Sequence, residues 1–163
     1  MTTYEPFRMS DYRKLRFESV EECVAEIRRI AAASEAGRLV SSGQWTPGQN
    51  LAHVAAWIEY GYQGYPIDPP PFFIRWFLRL RLRSMLAGGL PRGVRIPGVP
   101  AGTFGADEMT TAAAAERLLS ALRRLEQRQE AGFDSPVFGP MSHDDRIRLN
   151  LRHAELHLGY LSY

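Results

Sequence analysis

Residues 46–62, TPGQNLAHVAAWIEYGY, carry the signal that decides the fold class. Thr46 suits a helix N-cap. Pro47 follows at the first helical position, where its missing N–H leaves no bond unmade, and Gln49 completes a capping box. Leu51, Val54, Ala55, Ile58 and Tyr62 then recur at helical spacing and make a core stripe. Gln49, His53, Trp57 and Tyr60 make a second stripe, with Glu59 the single charge between Leu51 and Tyr62. Two large aromatic rings on a face so poor in charge fit a pocket wall better than a solvated surface.

The helical period recurs on both sides of this segment. Val20, Cys23, Val24, Ile27, Ile30 and Ala31 form the stripe of a first helix, opened by a Ser19/Glu22 capping box and stopped near Gly37. Ala115, Leu118, Leu119, Leu122 and Leu125 mark a third, ending before Gly132. A fourth begins after Ser142, with Asp145 three residues on, and is expected to continue to the C-terminus. No stretch shows sustained period-2 alternation or the Asn-Gly turn of a hairpin, so the expected class is all-α. Prolines and glycines concentrate between Gly61 and Gly105. This insertion, about residues 63–106, holds one extra amphipathic helix, about Phe72 to Ala87, closed by Gly88 and Gly89. A connection of that length permits a crossover that leaves the second and third helices parallel. Residues 1–163 are read as one domain with this insertion.

Composition narrows the function classes. With 163 residues, 45% hydrophobic and 23% charged, the chain can bury a core and is far from the disordered corner. The longest apolar stretch, Pro71 to Leu86, is interrupted by Arg75, Arg79, Arg81 and Arg83, short of the roughly 20 apolar residues of a spanning helix. The opening MTTYEPFRMSDY lacks the apolar region of a signal peptide. The one cysteine, Cys23, cannot form an intramolecular disulfide, and it reads as a small core residue. A cytoplasmic setting is therefore expected. Twenty basic residues against 18 acidic ones leave a net charge of +2, so a nucleic-acid partner is not expected.

Charge is distributed less evenly than the total suggests. Between Asp68 and Asp107 there is no acidic residue, and six arginines fall there: Arg75, Arg79, Arg81, Arg83, Arg92 and Arg95. Three readings of the extra helix compete. It is a lid packing its aromatic face on the other helices with arginines in solvent, an interfacial helix on an anionic membrane, or a basic wall that attracts an anionic substrate. The lid is the expectation, and membrane association is not expected.

Four histidines occur. His153 and His157 are spaced i, i+4, which puts both imidazoles on one helix face within reach of a shared metal ion. Asn150, His153, His157 and Tyr160 form that stripe, while Ile147, Leu151, Ala154 and Leu158 form the core stripe. His53 lies seven residues from Thr46, about 10 Å into its helix, and His157 lies six residues from Tyr163, about 9 Å from the other end. Antiparallel packing of these two helices brings the three histidines level. Three imidazoles at one level make a metal site with remaining positions open to water or substrate. Gln49, Asn150 or a backbone carbonyl is expected to orient the rings from behind, and Trp57, Tyr60 and Tyr160 to line the pocket. His143 sits about 15 Å below His153 along the axis and is expected to be an exposed surface residue outside the site.

The order of these features resembles a known family. RKLRFESVEECVAEIRRIAAA (residues 13–33), WTPGQNLAHVAAW (45–57) and LRHAELHLGYL (151–161) are similar to segments of the DinB-like superfamily, also called YfiT-like metalloenzymes, and most closely to a subfamily of bacterial domains of unknown function. The resemblance covers about Arg13 to Tyr163. It implies a four-helix bundle with up-down-down-up topology and a metal held by His53, His153 and His157. Many relatives carry Gly-Gln after the final histidine's neighbour, whereas this chain has Gly159-Tyr160, so no glutamine stands at that place. Many compact relatives also lack the basic insertion.

What the resemblance implies about chemistry is a divalent transition metal, zinc, nickel or iron, and a small-molecule substrate. Characterised relatives include transferases that use low-molecular-weight thiols such as bacillithiol or mycothiol. The expected function is a metal-dependent thiol S-transferase. The alternatives are a non-catalytic metal-binding or homodimerisation module and a peripheral membrane-associated protein.

Overall fold

The computed structural model describes residues 12–97, 99 and 101–163. All of the opening stretch read for a leader except Tyr12 lies outside the described residues. The chain runs through helix α1 (Val20–Glu35), strand β1 (Val40–Ser41), helices α2 (Pro47–Gln63), α3 (Phe72–Gly88), α4 (Thr111–Glu126) and α5 (His143–Leu158), and strand β2 (Leu161–Ser162). The described residues are thus mostly helical, with five helices and one small two-stranded sheet. None of the helices is long and apolar enough to cross a membrane.

Side-chain caps fix the starts of four helices. Ser19 accepts the Glu22 N–H, Thr110 accepts that of Ala113, and Ser142 accepts that of Asp145. At α2 the box is reciprocal: Thr46 Oγ1 accepts the Gln49 N–H at 3.2 Å, and Gln49 Oε1 accepts the Thr46 N–H at 3.0 Å. α3 has no side-chain cap and starts directly after Pro71.

The strands correct the all-α expectation and the expectation that the last helix runs to the end. β1 and β2 pair antiparallel, Val40 opposite Ser162 and Ser41 opposite Leu161. Two-residue strands carry no alternation that a sequence pattern can reveal, and Val40 and its partner Ser162 are far apart in the sequence.

One core unites α1, α2, α4 and α5. It is built from Ile27 and Ile30, Leu51 and Val54, Leu118, Leu122 and Leu125, and Leu151 and Leu158, with Leu161 sealing one end. Named contacts fix the helix directions. Moving along α2, Trp45 at its start stacks on His157, Trp57 lies by His153, and the Cα of Gly61 faces the Arg146 guanidinium, so α5 is antiparallel to α2. Gly48 abuts Met109, Glu59 pairs with Arg117, and Tyr62 lies under Arg124, so α4 runs parallel to α2. α1 runs with α5: Phe17, before its first turn, bonds Arg152 and Glu155, and Glu26 further on bonds Tyr163. The close approach of α2 to the chain entering α4 depends on Gly48, where a Cβ would lie 2.0 Å from the Met109 carbonyl oxygen.

α3 corrects the lid expectation. It leans on α5 and buries Leu82 and Leu86, while Arg79 donates to the carbonyls of Phe138 and Pro140. Its aromatic face points away from the rest of the molecule. Phe72 is 82% exposed and Trp76 65%, with Phe73, Phe77 and Leu80 also exposed. Helical spacing shows that these residues share a face, but the opposite edge, with its smaller leucines and the Arg79 clamp, is the one that meets the core.

Candidate metal centre

His53 comes from the middle of α2, His153 and His157 from the last two turns of α5. Antiparallel packing brings them together: one nitrogen from each ring lies within 4.8 Å of the others, and among the described residues no Cys, Asp or Glu joins the group. Ring centroids are 4.4 Å apart for His53 and His157, 4.7 Å for His153 and His157, and 4.9 Å for His53 and His153. The Nε2 atoms of His53 and His153 are 3.2 Å apart. That is close to the edge of a tetrahedron of ligands at about 2.1 Å, roughly 3.4 Å.

His53 is held from behind. Its Nδ1–H donates to the Phe104 carbonyl at 2.8 Å, which assigns the tautomer and leaves Nε2 with a lone pair facing the other two rings. The indole N–H of Trp57 donates to the same carbonyl at 3.2 Å. Phe104 owes its placement to Gly105, whose φ of +82° lets the chain turn sharply against α2; a Cβ there would lie 2.6 Å from that of Ala56.

The local environment favours neutral rings. His53 is buried, and burial lowers its pKa to about 4 against the opposing pull of the Phe104 carbonyl. His153 is pushed well below the ordinary histidine range by burial and then by His157 and His53; His157 shifts the same way through burial and then His53. At neutral pH the rings therefore carry no proton in excess, the state in which imidazole ligates a metal. His157 Nδ1 is buried with no hydrogen-bond partner. An orphaned, buried imidazole nitrogen on a ring that belongs to a three-histidine cluster fits a metal-binding role for the cluster. His153 and His157 keep part of their surface accessible, so the cluster is not sealed.

The residues expected around the cluster differ in how near they lie to it. The Trp57 ring lies 6.0 Å from those of both His53 and His153, and Tyr60 lies 5.8 Å from Trp57. Gln49 is committed to the α2 cap and reaches the Ala106 carbonyl at 3.5 Å. Asn150 donates back to the Arg146 carbonyl on its own helix at 2.9 Å. Neither orients an imidazole; the backbone carbonyl of Phe104 does. Tyr160 packs edge-on against Tyr12 and lies beside Gly43. His143 stays outside the trio as expected, but it is half-buried rather than exposed, and its Nε2–H donates to the Leu125 carbonyl at 2.7 Å.

Trp45 was not anticipated. It stacks on His157 at 5.4 Å with 13° between planes and lies 4.9 Å from His53. It precedes the α2 N-cap, and its own carbonyl accepts from Ser41 Oγ at 2.6 Å. The one sequence cue was its position immediately before the capping box, where an apolar residue commonly packs back on the helix. Two surface hollows, one beside Tyr65 and Arg75 and one between α1 and α4, are lined by other residues than these histidines.

Neither curated proteins nor solved structures yield a match to the chain. The family described as "Protein of unknown function (DUF1569)" matches residues 9–162. That match spans nearly the whole sequence, histidine cluster included, and the chain belongs to this family of unknown function.

Proposed function

We propose that the chain is a DinB-like metalloprotein in which His53, His153 and His157 hold one divalent transition metal, and that it acts as a thiol S-transferase on an electrophilic small molecule. The observation that carries the reading is the convergence of three neutral imidazoles with no fourth side-chain ligand beside them among the described residues, the donor set of catalytic rather than structural sites. Helix directions support the DinB-like part, since α1 and α5 run one way and α2 and α4 the other, an up-down-down-up order. In this reading α3 belongs to an insertion within a single domain.

When bound, a divalent ion lowers the pKa of a coordinated thiol and supplies thiolate at neutral pH. The chain's own residues prepare the place. Phe104 fixes the His53 ring through Nδ1–H, so that Nε2 faces inward. Trp45 and Trp57 flank the histidines on two sides, shed water from the cluster and offer flat apolar walls to an organic electrophile. The thiol belongs to the cosubstrate. Cys23 is fully buried in the core and cannot supply it.

The test is conjugate formation. Metal-loaded protein is mixed with a panel of bacterial thiols and a generic electrophile, and rates are compared with those of the His53→Ala variant. Thiol-selective turnover by the parent, lost in the variant, is the expected result. Equal rates across all thiols would remove the transferase reading and leave a non-catalytic metal-binding module.

A further inference from the structure

We infer that α3 is an interfacial helix that docks the protein on an anionic lipid bilayer, lying in the plane of the membrane surface without crossing it. At about 100° per residue, Phe72, Trp76, Leu80, Phe73 and Phe77 span roughly 140° of one face. All five are exposed, none by less than 55%. Folded chains of this size rarely leave so contiguous an aromatic surface in water. The helix is not free to turn this face inward, because Leu82, Leu86 and the bonds from Arg79 to the carbonyls of Phe138 and Pro140 hold the other edge.

Charge selects the occupant. Arg83 falls within the aromatic arc, about 20° from Phe72, and Arg81 lies about 40° beyond Phe77, both exposed. No acidic residue occurs from Pro69 to Ala106. A second copy docking face to face through α3 would set these arginines against their own kind with no local carboxylate to offset them. An anionic headgroup layer supplies the missing charge, and the acyl boundary takes the Phe, Trp and Leu side chains while the arginine stems extend to the phosphates. This inference is independent of the metal site, and the His53→Ala variant is expected to bind membrane as the parent does.

The experiment uses the full chain with vesicles of phosphatidylcholine alone or in equal mixture with phosphatidylglycerol, read by co-sedimentation and by the blue shift of tryptophan emission. Binding to the mixed vesicles and little to the neutral ones is expected. Arg81→Ser with Arg83→Ser should weaken partitioning roughly 25-fold at low salt, and Phe73→Ser with Trp76→Ser roughly hundredfold. All four positions are exposed, so unchanged far-ultraviolet circular dichroism should accompany both losses. Absence of vesicle binding, or binding indifferent to phosphatidylglycerol and to both double variants, would overturn the inference. So would a lipid-independent dimer that the Phe73→Ser, Trp76→Ser variant dissociates, which would assign the face to a second copy.

Discussion

Replacing Gly105 by alanine separates the support of the histidine cluster from the cluster itself. Gly105 has a φ of +82°, a region that costs a residue with a Cβ about 1–2 kcal/mol. The new methyl would stand 2.6 Å from the Ala56 Cβ and 3.1 Å from the Tyr60 hydroxyl. Ala56 is fully buried on α2 and has no rotamer by which to yield, so the loop must move outward. Strain and overpacking together should lower stability by about 2–4 kcal/mol. Outward movement also stretches the 2.8 Å bond from His53 Nδ1–H to the Phe104 carbonyl. Loss of such a bond behind a ligating histidine typically weakens metal affinity about 10–100-fold. Gly93→Ala is the matched control: its φ is +75° but nothing lies within 4 Å of the added methyl, so only the backbone strain, about 1 kcal/mol, is expected, with metal affinity unchanged. Urea unfolding gives the stabilities and competition with a chromogenic chelator gives the affinities. Equal stability losses in the two variants, both with parental metal affinity, would refute the role given to Phe104.

Other consequences are open to direct measurement. Cys23 is fully buried, and burial together with the nearby Glu155 and Glu26 carboxylates pushes its pKa up to about 12, so the thiol should resist a disulfide reagent in the native protein and react stoichiometrically in denaturant; rapid native labelling would contradict its placement. Arg152→Met should destabilise the fold by about 3–5 kcal/mol in urea titration, because it leaves the buried Glu155 carboxylate and the Phe17 carbonyl without their guanidinium. A loss under 1 kcal/mol would show the pair to be dispensable. His143→Ala should lower stability by about 1 kcal/mol through the lost bond to Leu125 and leave metal stoichiometry intact, and a fall in bound metal would mean the trio is wrongly drawn.

The helices and the trio were legible because both rest on local geometry. Ser19, Thr46 and Ser142 announce helix starts that the structure bears out, and the i, i+4 pair on α5 faces His53 once α2 and α5 are antiparallel. Support for the rings was less legible. Phe104 acts through its carbonyl, which every residue possesses, from a loop 51 positions beyond His53. Gln49 could be read as a cap or as a prop for histidine, and the cap prevailed because its partners are adjacent in the chain. Trp45 lies outside the helical period that organised the reading. α3 shows the limit most clearly: a stripe of Phe72, Phe73, Trp76 and Phe77 identifies a face, but periodicity does not say whether that face meets protein or water. The decision rests with tertiary partners, here Arg79 with the carbonyls of Phe138 and Pro140.

Metal content, measured by elemental analysis on the parent and on the His53→Ala, His153→Ala, His157→Ala variant after equal exposure to zinc, nickel and iron and removal of free ions, tests the centre most directly. About one divalent transition metal per chain in the parent, and none above background in a variant that retains its helical circular dichroism, is the expected result. Equal metal content in the two proteins would contradict the assignment of these three residues as ligands.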